Sequence, residues 1–232
     1  MATPQSRQVV DACTLSFIAG FVDTCVFVGL YGLFTAHVTG NLALLGAALV
    51  HRSGGELAKL LALPVFALAV VGTVYAAWFL KRAGLQRVPP LLYAESLLLL
   101  VTAAFATSAG PASGPDSALA ILAGMSGVTA MGLQNALMRI ELSTLPATTV
   151  MTVNVTQVIV DAVMLTISRA HPQHDADPVG HAKARFDKLW PPVAAFAGGA
   201  ASGAVGYTIV EWACLLVPAG ACLGLGIALA RR

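Results

Sequence analysis

Charge is what this sequence has least of: 10% of its 232 residues are Asp, Glu, Lys or Arg, against roughly a quarter in an ordinary soluble domain. That is too little to coat a water-facing surface, so a soluble globular domain is excluded. The net charge is only +2, and no basic patch carries interleaved aromatic residues, which sets aside a nucleic-acid partner. Cysteine is scarce as well. Cys13, Cys25, Cys214 and Cys222 all lie within apolar runs and form no Cys-x-x-Cys pair. They read as small buried hydrophobes rather than redox or metal ligands. No Ala-x-Ala-like cleavage site separates residues 1–8 from the first apolar run, so that run is expected to persist as a span.

What remains is apolar: 57% of the residues, with a mean hydropathy of +0.80. Apolar runs occupy 12–33, 37–50, 60–80, 90–109, 118–138, 147–168, 190–208 and 212–230. Several approach the roughly 20 residues needed to cross a hydrocarbon core. The reading is an all-α integral membrane protein. Two runs stand apart. The run 37–50 is too short to cross, and 147–168 carries Thr148, Thr149, Thr152, Asn154, Thr156 and Gln157.

Basic residues arbitrate the topology. If both unusual runs dip in and return on the side they entered, only Arg52 and Lys59 of the 13 basic residues lie outside. Cytoplasmic loops carry the excess of Lys and Arg, so this arrangement of six spans plus two re-entrant polar segments is preferred. A seven-span arrangement differs only in placing Arg7 outside as well. Either way the C-terminus and the polar loop 171–189 are expected in the cytoplasm. Within that loop Lys183, Arg185 and Lys188 alternate with Phe186, Leu189 and Trp190, as a short headgroup-bound helix or a plain loop would have them. His171, His174, Asp175, Asp177 and His181 of the same loop lack a metal-ligand spacing.

Short motifs recur. Gly20-Phe21-Val22-Asp23 matches Gly132-Leu133-Gln134-Asn135, and Thr39-Gly40-Asn41 matches Thr152-Val153-Asn154 at the same separation to within one residue. The chain then divides into membrane repeats 1–112 and 113–232, each a span, a polar dip and two more spans. The first span of each repeat runs in the opposite direction, which makes an inverted 3+3 repeat of the kind secondary transporters use.

These motifs, and most specifically His37-Val38-Thr39-Gly40-Asn41, resemble those of the YoaK-like bacterial membrane proteins, a family catalogued as a domain of unknown function. The resemblance covers nearly the whole chain. It implies a multi-span protein of the bacterial cytoplasmic membrane and supplies no substrate.

Polar residues at membrane depth are functional candidates by default. Asp23, half-way along the first span, and Asp161 are candidates for proton coupling, with Thr24 or Thr39 as alternative hydrogen-bond partners that would make Asp23 structural. His37, Thr39, Asn41, Gln134, Asn135, Thr152, Asn154 and Gln157 are candidates for a solute site. The helix N-termini that follow the two polar stretches would favour a polar or anionic solute, and Gly40 is expected to supply unusual backbone dihedrals. Glu95 is placed near the inner interface and Glu211 at the outer one. Gly124-Met125-Ser126-Gly127 resembles the Gly-x-Ser-Gly of rhomboid-type intramembrane proteases, but the later apolar runs hold no His to activate the serine. The chain is not read as an enzyme, and no cofactor is called for. The glycine spacing in 190–208 and 212–230 predicts close helix contact, within one subunit or across a homodimer. The leading reading is a small transporter in contact with lipid and an unidentified small solute. Its rival is a non-transporting protein, either a channel-like pore or an assembly scaffold.

Overall fold

In the computed structural model the described residues are 4–50, 54–110, 114–149, 151–170 and 176–232. Among them every regular element is helical: α1 (Pro4–Gly29), α2 (Val38–Ala48), α3 (Glu56–Arg82), α4 (Val88–Ala109), α5 (Ala118–Ile140), α6 (Met151–Ala170), α7 (Ala176–Val210) and α8 (Leu216–Ala230), with a 3₁₀ turn, Glu211–Leu215, joining the last two. A chain this apolar has helix as its natural form, because each helix satisfies its own backbone where water cannot. Among the described residues five helical stretches are long and apolar enough to cross a membrane: Ser6–Gly29, Glu56–Arg82, Val88–Ala109, Met151–Ser168 and Val179–Ala230, the last containing most of α7 and all of α8. Gln134 and Asn135 dilute the hydropathy of α5, which packs against α3 and α4.

The bundle has two distinct ends. At the first, Gly29 and Tyr31 lie beside Trp212 and Gly55. At the second, Arg232 pairs with Asp11, Arg87 with Glu141, and Lys188 donates to the Thr144 carbonyl. Helix α3 starts beside Tyr31 and carries Lys81 and Arg82 in its last turn. Lys59 stays at the first end, buried, its Nζ 2.7 Å from the Gly54 carbonyl.

Helices α1 and α7 run parallel at the closest approach in the bundle. A Cβ on Gly199 would sit 2.2 Å from the Phe17 carbonyl oxygen, and one on Gly203 would sit 2.3 Å from that of Phe21. From the other side, a Cβ on Gly20 would meet the Phe196 oxygen at 2.2 Å. The contact predicted from glycine spacing is therefore made within the chain. Gly220 and Gly224 of α8 meet nothing within 4 Å. Helices α1 and α5 are antiparallel, with Gly124 facing Leu30 and Leu33 while Gln134 reaches the Leu15 carbonyl.

Two expectations are corrected. The stretch 171–189 is not a loop throughout, since α7 is continuous from Ala176 and passes through Pro191 and Pro192. His171, His174 and Asp175 lie outside the described residues. An ion pair from Lys183 to Asp187 at i,i+4 supports the helical start. Gly40 lies within α2 rather than in an unusual conformation. The left-handed residues of this region are Tyr31 (φ 51°) and Gly32 (φ 79°). Gly40 is required for space, because a Cβ there would lie 2.9 Å from the Phe34 ring.

Candidate functional site

Two polar turns are built into the bundle. The first, 30–37, leaves α1 at Tyr31 and folds back along it. Asp23 holds it there. Its Oδ1 accepts from the backbone N–H groups of Thr35 and Ala36, both at 2.7 Å, and from the Thr35 hydroxyl at 3.2 Å. Its Oδ2 lies 2.7 Å from His37 Nδ1. A carboxylate at membrane depth needs donors, and the turn supplies them as backbone amides with no other use. The hydroxyl partner is thus Thr35, not Thr24 or Thr39. Asn41 closes the turn: its Nδ2 donates to the Phe34 carbonyl at 2.8 Å, and its Oδ1 accepts from the Phe34 N–H at 2.9 Å. The His37 ring, 37% exposed, is edge-on to both Phe34 and Phe196. Thr39 is exposed on α2 and takes no part.

The second turn, 141–149, repeats the scheme on α5. Gln134 Nε2 donates to the Thr148 hydroxyl and to the Leu15 carbonyl, each at 2.9 Å. Thr149 donates to Asn135 Oδ1, and Asn135 Nδ2 to the Met131 carbonyl. Asn154 Nδ2 donates to the Ala147 carbonyl at 2.6 Å, seven residues earlier, the same reach that Asn41 makes to Phe34. Thr152, like Thr39, is exposed.

The sequence candidates therefore fall into two clusters. Asp23, His37 and Asn41 meet in one; Gln134, Asn135 and Asn154 meet in the other. Both hang on α1, at Asp23 and at Leu15, roughly 12 Å apart along the helix. Gln157 and Asp161 belong to neither. Gln157 donates to Asp161 Oδ1 at 3.0 Å, and Arg185 of α7 binds the same carboxylate through Nη2 at 2.7 Å. Asp161 is wholly buried in that ion pair, while Arg185 is half exposed.

Space for a small molecule lies elsewhere. A cavity of about 300 Å³ opens at the first end, lined by Tyr31, Thr107, Tyr207, Glu211 and Trp212 among others. Tyr31 and Glu211 (φ 50°) are the two non-glycine residues with left-handed backbone among the described residues. Such strain persists only where the surroundings hold it, and it clusters at functional sites. By sequence Glu211 is an interface residue and Tyr31 does not stand out, because backbone strain leaves no mark on residue type. By sequence Glu95 also belongs near the inner interface. Glu95 is instead fully buried in α4.

Long apolar helices, a basic end and polar turns folded back into the bundle define a multi-pass helical membrane protein. More narrowly, residues 12–228 match the family described as "Protein of unknown function (DUF1275)", and the chain belongs to that family. No curated protein and no solved structure matches it.

Proposed function

We propose that the protein is a small secondary transporter, built as an inverted repeat, that carries a small polar solute across the bacterial inner membrane. The observation that carries this reading is the pair of matched turns, each folded back along a helix and closed by an Asn to a carbonyl seven residues before it. Broken helices related in this way form the solute paths of inverted-repeat transporters. The packing supports the repeat. If α1, α2, α3 and α4 correspond to α5, α6, α7 and α8, then α1 on α7 answers α5 on α3. Likewise α2 on α3 answers α6 on α7, and α4 on α5 answers α8 on α1, while α4 on α8 is its own counterpart. The antiparallel course of α1 and α5 supports an inverted arrangement of the two repeats. The connection of α2 back to Gly55 beside Tyr31 supports re-entry, with α1, α3, α4, α5, α7 and α8 as the six spans. The basic second end is then cytoplasmic.

Asp23 serves as the clamp of the first turn. His37, tethered by Asp23 and partly exposed, is the side chain of that cluster best placed to meet a solute. The cavity at the first end is the entry, and Glu211 on its wall favours neutral or cationic solutes over anions.

A second reading rests on the same hydrogen bonds. Asp23 and Asn41 are satisfied within the chain, as a packed scaffold subunit would have them. Thermal unfolding of the purified protein against a panel of amino acids, sugars, polyols and small amines at millimolar concentration separates the two. A bound class present at about 100 times its Kd stabilises by about 2.7 kcal/mol and raises the midpoint, and His37→Ala should abolish that rise. No rise across the panel favours the scaffold.

A further inference from the structure

Four carboxylates are buried inside the described helices: Asp11, Asp23, Glu95 and Asp161. Three are spoken for, by Arg232, by the turn at Thr35 and His37, and by Arg185. Glu95 is not. It is 0% exposed, and neither carboxyl oxygen has a hydrogen-bond partner among the described residues. It lies on α4 about 12 Å along the helix from Arg87, where α4 packs on α8. Around it that contact is close. Ser96 Oγ donates to the Ala219 carbonyl at 2.8 Å, and a Cβ on Gly226 would meet the Tyr93 ring at 2.6 Å.

The titratable group that faces Glu95 is the buried thiol of Cys222, on α8. Helix α5, also packed on α4, has Arg139 as its one titratable side chain, in the last turn at the second end. The 3₁₀ turn brings Glu211 and Cys214 to the opposite end. Among the described residues no cation pairs with the carboxyl. Ionised and unpaired in such a place, it would oppose the packed state.

We propose that Glu95 is a reversible proton-binding site at the joint between the two halves, protonated while α4 and α8 are closed and ionised only when that joint admits water. This rests on the two-half transport reading, and it moves proton binding from Asp23, which the turn holds as an acceptor, to α4. Protonation at Glu95 closes the joint, and loss of the proton favours its opening. A proton taken up on one side and released on the other is thereby tied to rearrangement of the halves.

The test is made on purified full-length protein without solute, so it stands or falls separately from the solute screen. Dicyclohexylcarbodiimide adds the oxygen of a protonated carboxyl to its central carbon while the acid proton passes to its nitrogen. The adduct rearranges to a stable N-acylurea that is read by peptide mass. Modification of Glu95 is expected at pH 5.5 and should fall at least tenfold by pH 9, with exposed Asp187 unmodified at pH 7 and above. No modification of Glu95 at pH 5.5, or modification unchanged up to pH 9, overturns the proposal. Alkylation of Cys222 by N-ethylmaleimide at pH 8.5 gives the second readout. It should be at least fivefold slower in Glu95→Gln, whose neutral side chain keeps the joint closed; equal rates overturn the coupling of charge to opening.

Discussion

Asn41 and Thr39 sit two residues apart in the motif that marks the sequence, yet they face opposite fates. Asn41 is 1% exposed and makes two hydrogen bonds to Phe34, whereas Thr39 is exposed on the outer face of α2. Removing a buried side chain that satisfies two backbone groups costs about 1–3 kcal/mol for each group left unpaired. Exposed substitutions usually stay within about 0.5 kcal/mol. Asn41→Ala should therefore lower the thermal midpoint in detergent by several degrees, and Thr39→Ala should leave it unchanged. Equal midpoints for the two variants would show that the turn does not depend on Asn41. At this scale the sequence was half legible. A lone Asp23 in an apolar run announces that it needs donors. Its donors are the N–H groups of Thr35 and Ala36, which every residue but proline carries and no motif displays. Glu95 was visible in the same way, but its depth depended on where α4 begins relative to the end of the bundle.

The helices themselves were mostly readable as apolar runs, because length and hydropathy are what the bilayer selects. The exception, the start of α7, is polar and contains Pro178, Pro191 and Pro192. Its helix is held by tertiary contacts, notably Arg185 on Asp161, which sequence alone does not reveal. Glycine spacing was legible as close contact, but not its partner. Because the Gly199 position lies on the Phe17 backbone, Gly199→Val has no flexible side chain to push aside and must separate α1 from α7. Gly220→Val, in open space, should be tolerated. Size-exclusion profiles after detergent extraction should show aggregation or loss of the first variant and a normal peak for the second. A normal peak for Gly199→Val would mean that the α1–α7 crossing is looser than its geometry implies.

For the whole molecule, the matched motifs predict two halves, and the proposed transport function rests on that division. What the sequence could not provide was the separation of the two polar clusters, expected to form one site and found on different levels of α1. Only the side-by-side registry of α1, α5 and α7 decides that distance. Topology can be tested directly with single cysteines in a background where the native four are replaced. Ser53→Cys, between α2 and α3, and Arg82→Cys, at the end of α3, should be labelled by an impermeant maleimide from opposite sides of sealed membrane vesicles. Labelling of both from one side would sink the re-entrant arrangement.

Helix α1 carries both turns, one gripped by its Asp23 side chain and the other resting on its Leu15 carbonyl through Gln134. The turns fold in from opposite ends. A slide of α1 along its axis therefore draws one turn outward toward its own end while driving the other deeper. The two ends of the bundle are geared against each other through a single shaft.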